Sequence, residues 1–462
     1  MNNPTLKSLI GKRIHFIGIG GAGMSGLARI SLSHGITVSG SDAKDSSVVK
    51  ALQALGATIA TSHAASNVDG ADLVVYSTAI SPSNPELIRA QELKLSTLTR
   101  AAALSILMSE SKSIAVAGTH GKTTTSSMMA VALQACGADP SFAIGGTITA
   151  SGSNAHRGTG EIFVAEADES DGSFIEYHPY AAIVTNVEHD HVDFFATPED
   201  VAQAFIDFAA TIHKDGFLTY CADDQGAKAL ASTVKTCALI SYGIDESCDL
   251  RLDSIELEAM GSRARAIWRG KVVGFIELQV PGHHNLLNAA AVLATGLNLG
   301  FPAPELLTGL SVFRGTGRRF ELIGTVHGVR VIDDYGHHPT EIDVTLKAAR
   351  RFAGDGRLIV IFQPHRYSRT KAFSAQFAKA LDVADRAIVL EVYAASEKPI
   401  AGVTSRLITD AMSHGEYIPN FIEVTDSVID SAEPQDVIIT LGAGDVSSLA
   451  PIIVDGLTRR FG

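Results

Sequence analysis

The stretch SIAVAGTHGKTTTSSMMAVALQA, Ser113 to Ala135, decides how this chain is read. Its apolar start has strand length, Gly118 and Gly121 stand where the backbone must turn, and TSSMMAVALQA carries a helical pattern. A strand, a glycine-containing turn and a helix in that order put free backbone N–H groups and the positive end of a helix around a phosphate. In such a loop Lys122 reaches the terminal phosphate and the Thr123 hydroxyl is offered to magnesium. The full phosphate-loop pattern is not met, because Val116 occupies the place of the glycine expected five positions before Gly121. A merely structural turn with a surface lysine would explain the glycines but not the Gly-Lys-Thr order.

About a hundred residues upstream, RIHFIGIGGAGMSGLARI (Arg13 to Ile30) holds a second loop of this kind, with Gly18, Gly20 and Gly23 in G-x-G-x-x-G spacing and Asp42 about twenty residues further on. Read alone, it fits NAD and an oxidoreductase. The glycines specify only a pyrophosphate at a helix start, so a UDP-sugar qualifies equally, and a ligand-free tight turn needs the same residues.

Downstream, EIFVAEADESD ends a strand on Glu166, with Asp168, Glu169 and Asp171 close by in sequence. Crowded carboxylates call for a cation, or else form a solvated acidic turn. NVEHDHVDFF offers His189, Asp190, His191 and Asp193. A zinc-hydrolase H-x-H-x-D-H would need a histidine where Phe194 stands; a solvated loop, or one imidazole completing a magnesium shell, are the other readings. Further on, DDYGHHPTEI and FQPHRYSRT gather Asp333, Asp334, Tyr335, His337, His338, His365, Arg366 and Arg369. Two arginines three apart can fork onto a carboxylate or phosphate, or be a solvated helix start. Asn285 and Asn288 in GHHNLLNAA can meet a purine edge, or serve as capping amides.

The 462 residues suffice for about three domains, and a formal charge of −13 argues against nucleic acid or an anionic membrane as partner. Four scattered cysteines suit a reducing compartment, and no apolar run reaches membrane-spanning length, so a cytoplasmic protein is expected. Strand-length runs alternate with helical patterns, which predicts an α/β protein of three domains. These are a Rossmann-like unit over 1–108 with four strands, a central phosphate-loop unit over 109–320 with a small antiparallel addition at Cys237 to Glu277, and a third α/β unit over 321–462.

In order along the chain, GIGGAGMSGLA, GTHGKTTT, EADESDGSF, TNVEHDHVD, GHHNLLNAAA, GTGRRFE, DDYGHHPTE, FQPHRYSRT and LGAGD resemble the motifs of the Mur ligases, the ATP-dependent amino-acid ligases of peptidoglycan synthesis. The resemblance spans nearly the whole chain and is strongest to the members that join L-alanine to UDP-N-acetylmuramate; members adding a tripeptide to the same sugar nucleotide are the alternative within the family. It implies a Rossmann-like third domain as well. ATP would be held by Gly118, Thr119, His120, Gly121, Lys122, Thr123 and Thr124, with Asn285 and Asn288 at adenine and Arg319 and Asp334 closing from the interdomain side. Mg2+ would fall to Thr123, Glu166 and His191. The UDP-sugar would lie on Gly18, Gly20, Gly21, Gly23, Asp42, His63, Ser77 and Thr78, and the amino acid on Tyr335, His337, His365, Arg366 and Arg369. Lys122, Arg366 and His337, the last as acceptor of the amine proton, would carry the catalysis. The family usually has alanine at the position of His189, which favours His191 as the ligand.

Overall fold

The computed structural model describes residues 4–395 and 397–462, and its strands form three separate sheets. In the first, five parallel strands run in the order Thr58–Ala60, Thr37–Ser41, Arg13–Ile17, Leu73–Tyr76, Ser96–Thr99. The order reverses between Arg13–Ile17 and Leu73–Tyr76, and a doubly wound sheet opens a crevice at such a switch point. The glycine loop leaves Ile17 at that point and enters the helix Ala22–Ser33. Sequence patterning predicts four strands here; the fifth, Ser96–Thr99, is short and polar with a half-exposed face, so it lacks the apolar run that marks the others.

The second sheet has ten strands. At its centre Lys112–Ala117 lies between Ile162–Glu166 and Ala181–Val184, all parallel. That neighbourhood carries the site, because the turns following the three strands meet at one edge. The alternating segments Leu250–Leu257, Ser262–Trp268 and Lys271–Leu278 are antiparallel to one another, as patterning predicts, but they extend this sheet rather than forming a separate one. Their alternate buried and open positions show one covered face. The helices Lys122–Ala135 and His283–Asn298 pack together under the sheet, with the run Ala289–Ala294 fully enclosed.

The third sheet orders Glu321–Val326, Val329–Asp334, Val437–Leu441, Leu358–Phe362, Arg386–Val389 and Gly415–Tyr417, parallel except for its first strand. Leu358–Phe362 and Val437–Leu441 are buried at every position, as continuous apolar strands covered by helices on both faces should be. No helix among the described residues is long and apolar enough to cross a membrane.

Candidate active site

The central loop is built as its sequence suggests. Gly118 has φ of 133° and Gly121 φ of 83°, conformations that disfavour a side chain. A Cβ on Gly118 would stand 2.0 Å from Thr185 Oγ1, so the loop is pressed against the turn that follows the neighbouring strand. That turn grips it: Asn186 Oδ1 accepts from His120 N at 2.8 Å, and Asn186 Nδ2 donates to His120 O at 3.0 Å. Gly121 caps the helix Lys122–Ala135 without any side-chain acceptor, leaving the first N–H groups open.

Lys122 Nζ folds back onto Gly118 O at 2.7 Å and Thr119 O at 3.0 Å, and pairs with Glu169 Oε2 at 2.8 Å. Burial works against its charge, but the carboxylates of Glu169, Asp168 and Glu166 raise its pKa above the ordinary lysine value. Thr123 Oγ1 donates to Glu166 Oε1 at 3.1 Å, and Gly145 N holds the other carboxylate oxygen at 2.8 Å. Burial pushes the Glu166 carboxyl up despite these donors and Lys122. Glu166, Asp168 and Glu169 thus gather three carboxylates around Lys122, with His191 and Arg100 the further cationic side chains acting on them. Of the four acids grouped in the sequence, Asp171 turns away and accepts from Thr78 Oγ1 at 2.7 Å, tying the first sheet's unit to the second.

The two histidines of NVEHDHVD separate. His191 Nε2 lies 3.4 Å from Glu169 Oε1, beside the lysine and the acids, whereas the His189 ring is spent on Phe195 O at 3.2 Å. The zinc reading needs both rings at one ion, and they point to different partners. Among the described residues, His120, Glu188 and His338 form a His/Glu grouping with metal-like spacing, and His120 there lies between two acids: Glu188 Oε2 at 3.6 Å and Glu341 Oε1 at 3.4 Å. Burial opposes a positive charge on His120, and the two carboxylates nonetheless carry its pKa up to about 9.

A cleft of about 170 Å3 opens between the second and third units. Gly121, Thr124, Asn285, Asn288, Arg319 and Asp334 line it together, so residues more than two hundred positions apart in the chain meet here. Asn288 lies against the loop, since a Cβ on Gly121 would sit 2.8 Å from its Oδ1. Burial pushes Asp334 up to about 6, against the opposing pull of Arg319.

At the far side of this interface Arg369 places Nε and Nη2 on Asp190 Oδ1 at 3.0 and 2.8 Å, and Arg366 pairs with Asp193. The rings of Tyr335, His337 and His365 follow one another at 5.2 and 5.8 Å. The His337 Nδ1–H donates to Tyr335 O at 3.0 Å, and burial pushes this imidazole down to about 3. It is neutral at pH 7, and in this arrangement it holds an added proton poorly.

At the first sheet, Gly20 N donates to Asp42 Oδ2 at 2.9 Å, so Asp42 braces the loop directly. His63 stands on the buried Glu86 at 3.2 Å, beside Ser41. Burial opposes the Glu86 charge, yet the His15 ring 3.8 Å away and hydrogen bonds from Ser41, Asn67 and His63 hold its pKa down at about 2. Ser77 Oγ accepts from Ala79 N at 3.2 Å within the turn after Leu73–Tyr76.

Sequence reasoning missed three contributors: Asn186, Glu188 and Glu341. The first two follow the strand Ala181–Val184, whose position beside the phosphate-loop strand no local pattern reveals. Glu341 reads as the third residue of a capping box after His338, and it does fill that role. Its second role, facing His120 across the interface, is purely tertiary.

Family models match in the order of the three sheets: "Mur ligase family, catalytic domain" over residues 13–112, "Mur ligase middle domain" over 116–296, and "Mur ligase, glutamate ligase domain" over 318–444. The chain belongs to the Mur ligase family. Among curated relatives, a UDP-N-acetylmuramate--L-alanine ligase of Acidothermus cellulolyticus is 48% identical over 97% of this chain and 96% of its own. One of Paenarthrobacter aurescens is 49% identical over 96% and 97%. Among solved structures, the UDP-N-acetylmuramate-alanine ligase of Thermotoga maritima superposes with a TM-score of 0.83 at 29% identity, over 97% of this chain and 100% of that one. A murein peptide ligase of Psychrobacter arcticus follows at TM-score 0.74 and 25% identity, over 97% and 99%. This Mur ligase is thus an ATP-dependent ligase, and the oxidoreductase reading of the first glycine loop is set aside.

Proposed function

We propose that the protein joins L-alanine to the lactyl carboxylate of UDP-N-acetylmuramate, converting ATP to ADP and phosphate. The observation that carries this reading is the interdomain cleft, where the Lys122 loop, two buried amides and the Arg319–Asp334 pair converge in a chain matched end to end by L-alanine ligases. In the first step the lactyl carboxylate attacks the γ-phosphate, giving an acyl phosphate; in the second the amine of L-alanine attacks the acyl carbon and phosphate leaves. Two anions must meet, and in a water-poor cleft their repulsion is severe. Lys122 offsets it, released from Glu169 to follow the transferring phosphoryl group. Arg366 and Arg369 then exchange Asp193 and Asp190 for the amino acid's carboxylate or the reacting end of the sugar nucleotide. The acyl phosphate must be kept from water, which the third unit does by closing over the cleft.

The three carboxylates grouped at Glu166, Asp168 and Glu169 suit a divalent cation. Thr123, Glu166 and His191 would hold magnesium, which when bound neutralises part of the triphosphate charge. In this reading residues 1–108 take the sugar nucleotide, 109–320 take ATP and 321–462 take the amino acid, a division supported by each sheet lying within one segment. A cytoplasmic location fits the ATP requirement and four cysteines without a disulfide.

Phosphate release is to be measured with UDP-N-acetylmuramate, ATP and magnesium against L-alanine, glycine, L-serine and tripeptide. L-alanine is expected to give the highest kcat/KM. The likeness to the murein peptide ligase makes the tripeptide the serious competitor; a preference for it overturns the proposal.

A further inference from the structure

His120, Glu188 and His338 come from three different elements and meet at the seam between the second and third units. His120 lies in the central glycine loop, Glu188 follows the strand Ala181–Val184, and His338 caps the helix Pro339–Ala353. A ring nitrogen or carboxylate oxygen of each lies within 4.8 Å of the others. His120 Nε2 stands 3.6 Å from Glu188 Oε2, too long for a hydrogen bond. Two ligands of a tetrahedral ion bound at ~2.0 to 2.1 Å are themselves about 3.3 Å apart, close to this spacing. His120 Nε2 and His338 Nε2 are both buried without a hydrogen-bond partner among the described residues, and the two ring centroids are 4.7 Å apart. Buried polar atoms left unpaired are costly and mark a missing partner.

Neighbouring groups already support the three. Glu341 Oε1 faces His120 Nδ1 at 3.4 Å, the carboxylate–imidazole contact that leaves the other nitrogen for an ion, and Arg319 Nη1 balances that carboxylate from 3.4 Å. Thr340 Oγ1 donates to Glu188 Oε2 at 2.8 Å and so steadies the carboxylate. His338 Nδ1 accepts from Thr340 N only at 3.4 Å, so moving the ring's proton onto Nδ1 gives up little. We propose that His120, Glu188 and His338 bind a divalent transition-metal ion, zinc being the best fit, at a site separate from the magnesium group of the Lys122 loop. Two imidazoles, a carboxylate and one open place suit zinc, whereas magnesium prefers oxygen ligands throughout. Because two ligands belong to the second unit and one to the third, the ion pins the closed seam and slows the opening that product release requires. The site does not depend on which amino acid the protein joins.

Zinc chloride is to be titrated into the full chain by calorimetry with magnesium in excess, which keeps zinc from the Thr123, Glu166 and His191 group. A single zinc-binding event is expected. Its affinity rises about tenfold per pH unit between about pH 6 and 8, because the ion displaces the proton that His120 retains up to about 9. Glu188→Gln and His338→Asn, the second keeping an N-capping side chain, each weaken zinc by at least ~10 to 100-fold, the scale for losing even a supporting contact. His191→Ala leaves the event unchanged. Zinc raises the melting temperature of the unaltered protein and of His191→Ala but not of the other two variants, whose cooperative melting without zinc is the control for folding. Four results overturn the site: no zinc binding beside magnesium, an affinity flat with pH, full-strength binding in both Glu188→Gln and His338→Asn, or loss of the event in His191→Ala.

Discussion

The two glycine loops start from the same plan and end differently. Each leaves a buried parallel strand, turns at a glycine of positive φ and enters a helix with no side-chain N-cap. The central loop brings its own cation, Lys122, and is surrounded by Glu166, Asp168 and Glu169, which keep that charge and demand more. The first loop brings none; a carboxylate, Asp42, braces its backbone, and the Arg100 side chain beside Gly23 comes from another element. A loop with its own lysine and acids is equipped to move a phosphoryl group, whereas a loop of amides without a lysine is equipped only to hold one.

The largest expected effect tests that division. Lys122→Ala lowers phosphate release by at least ~100 to 1,000-fold, the scale for removing a donor aimed at developing charge. UDP-N-acetylmuramate affinity, read by titration, stays within about twofold because the two loops lie on separate sheets. Loss of both together would mean that the loops act as one site. Next comes Arg366→Ala, which removes a charged fork and raises the KM for L-alanine by ~10 to 100-fold while leaving that for ATP nearly unchanged. A rise confined to ATP would move Arg366 to the nucleotide. On the first loop, Gly20→Ala puts a Cβ 2.8 Å from Asp42 Oδ2 and 3.1 Å from Val49. Breaking the Gly20–Asp42 bond weakens UDP binding by roughly tenfold, with ATP binding intact; an equal loss of ATP affinity would erase the distinction between the loops.

What the sequence made legible follows the same divide between local and assembled features. Both loops could be read directly because strand, glycines and helix are neighbours in the chain. The grouping of Gly121, Asn285, Asn288, Arg319 and Asp334 in one cleft was reachable only through the family's order of motifs, since nothing local in GHHNLLNAA points to a loop more than 160 residues earlier. His189 and His191 look equivalent in sequence, and only the turn of the chain, with φ of 52° at His191, sends one toward Glu169 and the other to Phe195 O. The strand Ser96–Thr99 stayed hidden because it is too polar to read as one. Glu341 fills a capping box in the structure, and its second role across the interface has no local signal in the sequence.

The smallest effect concerns that glutamate's partner and the seam between the second and third units. His120 lies between Glu188 of one unit and Glu341 of the other, with the His338 ring 4.7 Å away and Asn186 on its backbone. Its pKa rises from 6.5 to about 9, while Glu188 and Glu341 are held below the usual carboxylate value and stay ionised throughout. A raised folded-state pKa contributes stability that is complete below about 6.5 and is lost as pH climbs through about 9. His120→Gln should therefore melt ~2 to 4 °C below the unaltered protein at pH 6.5, and the gap should close by about pH 9.5. Above that pH both proteins lack the imidazolium between Glu188 and Glu341, with Arg319 Nη1 still 3.4 Å from Glu341 Oε1, which loosens the closure that shields the acyl phosphate. A melting difference that is the same at both pH values would show that the imidazole matters for its shape and not for its charge.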